Sequence, residues 1–157
     1  MARSTFGTII IRSNNPDNQA QRSRAAAAAA AVTPGMLLRL NTAGTVQAHG
    51  TADGAALGRM VATENLWSDH GSGSAIDHAY ATGETVHYIH ALPGDQLNML
   101  LADSQTITIG DPLVSNGDGF LKEDTVSATT LEDAIVGYAA AAVTTSGATA
   151  RILVNIA

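Results

Sequence analysis

The chain has 157 residues, enough for one domain with a buried core, and only 14% of them are charged, against an average of about 25%. It contains no cysteine, which excludes disulfides and thiol chemistry, and no apolar run near the ~18–20 residues of a membrane span or typical of a signal peptide, so no membrane partner is expected. Residues 1–24 carry a net charge of +3 and the other 133 residues −9, but the arginines of the basic segment lack the lysine clusters and interleaved aromatics of nucleic-acid-binding proteins.

Residues 1–31 are predicted to form an extended N-terminal arm, followed by a β-rich domain at residues 32–157. The run from Phe6 to Arg12 is β-prone and favours a short strand, whereas Ser13 to Gln19 consists of turn- and loop-forming residues. The arm is therefore expected to carry one short strand on a polar linker. The alternative is that this strand is an ordinary first strand of the main sheet.

Seven consecutive alanines, Ala25 to Ala31, end the arm. Alanine has the highest helix propensity, but seven residues are too few to hold a helix in water unaided, and Pro34 and Gly35 would soon stop one. The run fits either a helix of one or two turns or a smooth segment packed closely against another chain. The sequence does not distinguish these two structures.

A fifteen-residue stretch, residues 33–47, recurs at residues 108–122 with five identities at a fixed offset of 75. Each copy predicts a β-hairpin, because a turn glycine precedes a short apolar strand and an Asn and a Gly follow it, and both tolerate the positive φ of hairpin turns. The predicted turn glycines are Gly35, Gly44, Gly110 and Gly119. Whether the two copies reflect a true duplication is left open, since Gly-x-x-Leu also occurs by chance.

Further short strands are predicted along the chain, separated by glycine-rich turns. They are residues 56–62, 85–91, 96–101, 105–109, 135–143 and 150–156. This spacing predicts an all-β fold, a small barrel or sandwich. Residues 63–79 form a long polar loop around Trp67, which is either a lid over the core or an exposed interface anchor.

No motif in the sequence predicts catalysis or a cofactor. His87 and His90 are three residues apart in one strand, so they point to opposite faces and cannot share a metal ion. The run Gly71-Ser72-Gly73-Ser74 matches neither a nucleophile elbow nor a dinucleotide-binding loop, and Phe120 interrupts the acidic pattern of a calcium loop. We therefore expect neither a metal nor a cofactor, and no enzymatic activity; the histidines are interpreted as surface or interface residues.

The segments from Val32 to Leu38 and from Asn41 to Val46, with the closing strands around Ile135 and Ile152, resemble the small capsid decoration (cement) proteins of tailed bacteriophages. The resemblance implies a β-barrel or β-tulip-like domain, often a homotrimer, made in the host cytoplasm and bound outside an icosahedral head. The implied partners are the major capsid protein and further copies of the chain, and the implied function is to stabilise the head at capsomer junctions. The alternatives are a tail, fibre or baseplate domain that binds a receptor, and a small acidic β-barrel enzyme.

The arm is predicted to bind a neighbouring subunit and not to complete this chain's own core. A polar linker with an apolar strand suits addition to another sheet edge, and basic residues suit capsid acids. The predicted capsid-binding residues are Phe6, Ile9, Ile10, Ile11, Arg12, Arg22 and Arg24.

Overall fold

The computed structural model describes residues 8–13, 22–56, 58–66, 74–125 and 132–157. These residues form short β-strands joined by turns, with a 3-10 turn at Glu132–Ala134. The prediction of an all-β barrel fold is confirmed. In the part of the chain described here, no helix has the length and apolar character needed to cross a membrane.

The N-terminal half contains a five-stranded sheet in the order β2-β6-β5-β3-β4. Its strands are β2 (Ser23–Ala27), β3 (Leu37–Leu40), β4 (Val46–Ala48), β5 (Met60–Ala62) and β6 (Thr85–His90). A parallel bridge between Ala28 and Val46 joins the end of β2 to the start of β4, the two outer strands. The sheet thereby closes into a barrel, here called the first barrel, which hides most of its edges.

The C-terminal half contains a second ring of five strands in the order β7-β13-β11-β9-β10, called the second barrel. Its strands are β7 (Gln96–Leu101), β9 (Pro112–Ser115), β10 (Leu121–Glu123), β11 (Ile135–Ala139) and β13 (Ala150–Ile156), with β8 (Thr106–Ile107) and β12 (Val143–Thr144) paired beside it. A parallel pairing of Leu121 with Leu101 closes this ring. The strand β1 (Ile10–Arg12) adds antiparallel to the start of β7, on the same edge that β10 uses at its end.

The two barrels share one topology. Neighbouring strands are antiparallel throughout each ring except at the closing contact, which is parallel in both. The antiparallel bridge between Val32 and Tyr80 takes the place of the β8–β12 pair. Strands β5 and β11 begin 75 residues apart, the same offset as the sequence repeat. This agreement favours a true duplication.

Both predicted hairpins are present, as β3–β4 and β9–β10. In each, the backbone amide of the Asn that opens the loop donates a hydrogen bond to the backbone carbonyl of the residue that ends it. The bonds are Asn41 to Thr45 and Asn116 to Phe120, both at 2.9 Å. The four predicted turn glycines have φ values of +90°, +78°, +94° and +86° in chain order. The prediction that several of these turn glycines have a positive φ is confirmed, and all four do.

Two apolar clusters hold the molecule together, and one of them spans both barrels. Leu38 and Met60 belong to the cluster of the first barrel. Their strand neighbours Leu37 and Val61 belong to the larger cluster, together with most of the second barrel's core. Because successive strand residues point to opposite faces, the outer face of the first barrel packs on the second.

The first part of the alanine run forms a strand, not a helix. Residues up to Ala27 lie in β2, which pairs with β6 of the same chain, and Ala28 lies buried beside Val46. Seven helix-prone residues gain too little from propensity to compete with the strand pairing to β6. The small side chains also allow the close approach at which the first barrel closes.

Candidate interaction surfaces

Part of the predicted arm belongs to this chain's own core. Ile9 is 0% exposed in the larger cluster, and its carbonyl accepts a hydrogen bond from the amide of Asn98 at 2.8 Å. Its own amide donates to the Glu64 carboxylate at 2.6 Å, and the Thr8 hydroxyl donates to the same oxygen. The prediction that the arm does not complete the core is therefore wrong for Ile9, because the edge of β7 and the second barrel supply the cover that we had expected from a neighbour.

Arg22 is also used inside the chain. Its guanidinium forms a buried ion pair with Asp95 at 2.5 Å and donates to the hydroxyl of Ser13 at 2.7 Å. Asp95 accepts a further bond from the amide of Leu92 at 2.9 Å. A carboxylate that is 0% exposed needs a cation close by, which explains why Arg22 lies here and is not directed toward capsid acids.

The other described residues among those predicted to bind the capsid remain accessible to a partner. Arg12 and Arg24 are exposed, while Ile10 and Ile11 are half-buried. Both arginines lie near the buried ion pair, because Arg22 links the end of β1 to the start of β2. Phe6 and Trp67 lie outside the described residues, so their predicted roles in capsid binding and as an interface anchor stay predictions.

A buried arginine fixes the contact between the two barrels. Arg151 of β13 donates to the carbonyl of Pro34 at 3.0 Å and to that of Ile76, and it pairs with the Asp77 carboxylate at 3.2 Å. Burial lowers the pKa of the Arg151 guanidinium, and the charge of Asp77 opposes this shift. A substituent at Gly35 would lie 2.7 Å from the same guanidinium, so the Pro34–Gly35 turn packs directly on the second barrel.

His49 lies at the same junction and is nearly buried, although the sequence indicated a surface or interface histidine. Its Nε2 lies 3.2 Å from the Ala55 carbonyl, which can only accept, so Nε2 carries the proton. Its Nδ1 lies 2.8 Å from the Ser115 hydroxyl, within hydrogen-bonding distance. Ser115 is 0% exposed, and its hydroxyl oxygen also accepts a hydrogen bond from the backbone amide of Gly117. It is a structural link between the barrels.

The surface of the first barrel contains a cleft. The cleft has a volume of about 410 Å³ and is lined by Leu38, Arg39, Leu40, His49, Thr51, Ala55 and Met60. Among the described residues, no group of three His, Cys, Asp or Glu side chains is placed to hold a metal ion. Burial raises the pKa of Tyr80 to about 12, and its hydroxyl donates to the Glu64 carbonyl at 2.8 Å, so the phenol acts as a protonated structural donor.

The sequence matches no protein-family model and no curated protein. The fold is similar to the crystal structure of the N base of the head fibre protein gp8.5 of bacteriophage phi29, with a TM-score of 0.51. The similarity covers 86% of this chain and 92% of that chain, at 16% sequence identity. At this level of identity the similarity establishes a common fold.

Proposed function

We propose that this chain is a non-catalytic structural protein of a bacteriophage virion that binds the outside of the capsid. The observation that carries the proposal is the similarity in fold to the base of a phage head fibre, which covers 92% of that chain. The sequence supports it independently, because the turn and strand pattern of residues 32–46 resembles capsid decoration proteins.

Within that role, we propose decoration of the head and its stabilisation at junctions between major capsid subunits. Arg12, Arg24, Ile10 and Ile11 are the described arm residues available for this contact. A contact made by these four residues alone would have a modest affinity. An oligomer such as a trimer would bind several capsid sites at once and so gain effective affinity. Neither nucleic acid nor a membrane is a partner in this proposal.

The experiment begins with virions produced from the genome that encodes the chain. Quantitative mass spectrometry and cryo-electron microscopy of these particles should find the protein on the head, at a copy number that scales with the number of capsomers. Heads lacking the protein should then release DNA at lower temperature than complete heads, and added protein should restore retention. Equal DNA retention with and without the protein would contradict the stabilising role.

A fibre base that presents a receptor-binding domain is the second candidate, and it is favoured by the similarity to the N base of a phage head fibre. The two roles differ in stoichiometry and in what the particle loses. A fibre base predicts few copies, or a longer fibre attached to each copy, and a defect in adsorption to cells. Decoration predicts many copies and a defect in the physical stability of the head.

A further inference from the structure

We propose that copies of this chain associate head to tail, with the Ile109–Gly110 turn of one copy docked on the exposed edge of β2 in the next. The proposed contact repeats between chains the contact that the two barrels already make within the chain. It assigns an interaction surface to the free protein and holds whether or not the protein belongs to a virion.

The contact within the chain is made by the Pro34–Gly35 turn. The carbonyl of Gly35 accepts a hydrogen bond from the amide of Leu100 in β7 at 3.1 Å. A Cβ at Gly35 would lie 2.7 Å from Arg151 Nη1 and 3.1 Å from the Asn98 carbonyl, which shows how closely the turn approaches the strand. A turn of the first barrel thus occupies an edge of the second.

The second barrel carries the same turn, and there it has no partner. Ile109 and Gly110 correspond to Pro34 and Gly35 at the offset of 75, and Gly110 has φ +94° where Gly35 has +90°. A Cβ at Gly110 would meet nothing within 4 Å, and Ile109 is 72% exposed. No described group donates a hydrogen bond to the Gly110 carbonyl. The second barrel therefore presents to solvent the turn that the first barrel buries.

The first barrel carries the matching edge. At the closing contacts, Ala29 donates to Val46 as Ala102 donates to Leu121, both at 2.8 Å, so β2 aligns with β7 at an offset of 73. By this alignment Ala27 corresponds to Leu100, which donates to Gly35, and Ala25 corresponds to Asn98, which donates to Ile9. The equivalent edge on β7 is thus occupied by the Gly35 turn and by the segment that enters β1.

The amides of Ala25 and Ala27 point away from the first barrel's own ladder. Ala28 donates to Glu84 at 2.9 Å on the β6 side, and Ala29 donates to the opposite side, so the odd-numbered residues of β2 face outward. Neither amide donates a hydrogen bond to a residue of the described part of the chain. Both side chains are exposed methyl groups, which allow another backbone to approach. An unpaired edge of this kind is a template for pairing with another chain.

The proposed contact between chains should be weaker than the contact within the chain, because one residue differs. Thr85 stands where Arg151 stands in the second barrel, because they pair with Ala27 and Leu100 respectively. The buried guanidinium that fixes the contact within the chain is therefore missing between chains. We expect a reversible association that depends on protein concentration. Because turn and edge are different surfaces, the contact is heterologous and generates a ring if the rotation closes.

Disulfide trapping tests the contact directly, since the natural chain has no cysteine. Purified I109C protein and A27C protein are mixed in equal amounts and oxidised mildly, and the expected product is a cross-linked heterodimer. The matched control replaces I109C by L66C, because Leu66 is 71% exposed and equally available to random collision. Cross-linking of the I109C pair at or below the control level overturns the proposal.

A second measurement does not depend on new cysteines. A27P removes an amide that bonds to nothing in the described chain, so the barrel should keep its circular dichroism and its unfolding midpoint, as prolines are tolerated at strand edges. Sedimentation velocity across a concentration series should show association of the natural protein, and its loss in A27P and in I109K but not in L66K. A natural protein that stays monomeric throughout, or an association that survives both variants, overturns the proposal. These results use free protein, so they remain separate from any failure to find the chain in virions.

Discussion

Gly35 is a single residue on which both a turn and the barrel contact depend. Because Gly35 has a positive φ, replacing it with a residue that has a side chain costs about 1–2 kcal/mol of backbone strain, and the same cost applies at Gly44. An added methyl group would meet nothing within 4 Å at Gly44, whereas at Gly35 it would meet packed atoms, the nearest being Arg151 Nη1 at 2.7 Å. We expect G35A to cost a further ~1–3 kcal/mol over G44A, with valine worse than alanine at both positions. Urea unfolding of the variants measures the difference, and equal losses would show that Gly35 matters only for the turn.

The two arginines on either side of Ser23 should differ sharply. Arg22 is paired with a fully buried carboxylate, whereas Arg24 is exposed on β2. R22A leaves Asp95 charged and buried, so a loss of about 3–5 kcal/mol of unfolding free energy is expected. R24A should change it by less than about 0.5 kcal/mol. Thermal and urea unfolding check both values, and a mild R22A variant would mean that water reaches Asp95 readily.

Residue chemistry that acts locally was predictable from the sequence. Glycine and asparagine are favoured in hairpin turns because of the backbone angles that each can adopt by itself. Gly44 and Asn41 were therefore assigned correctly to a turn. His49 and Arg22 could not be placed in this way. Their partners Ser115 and Asp95 lie 66 and 73 positions away, and no local pattern encodes such contacts.

Among the elements, β1 is the one whose role changes most between sequence and structure. An isoleucine-rich strand on a polar linker satisfies the same local rules whether it adds to its own sheet or to a neighbour's. The outcome depends on whether an edge within the chain remains open, and β7 has one beside its start. The sequence repeat also indicates which strands of the two barrels correspond, since Val61 of β5 and Val136 of β11 match at the offset of 75.

Removal of β1 should therefore destabilise the free protein. A chain without residues 1–13 loses Ile9 from the core and leaves the Asn98 amide without its acceptor. We expect a loss of about 2–5 kcal/mol, and I9A should reproduce most of it, because Ile9 is fully buried. I11A, at a half-buried residue, is the control and should cost less. An unchanged urea midpoint after the deletion would restore the hypothesis of an arm reserved for a partner.

At the scale of the whole molecule, the two barrels are joined by more than a linker. Leu37 donates to the Gly119 carbonyl at 2.8 Å, and Gly119 donates to the His49 carbonyl at 3.2 Å. On the surface, Lys122 pairs with Asp53 at 2.9 Å. Together with the shared apolar cluster, these contacts hold the outer face of the first barrel against the second.

The natural chain should consequently unfold as one cooperative unit, although its topology is that of two repeated barrels. A first barrel cut off before β7 would expose Leu37, Val61 and Ile89, all nearly or fully buried in the intact chain. Exposure of three such side chains costs about 1.5–3 kcal/mol each, a large part of the stability of a domain this small. Calorimetry of the full chain should show one transition with equal calorimetric and van't Hoff enthalpies, and the isolated half should be unfolded or aggregated. Two separate transitions, or a cooperative transition in the isolated half, would show that each barrel is independently stable. The junction would then be an interface between two independently folded domains.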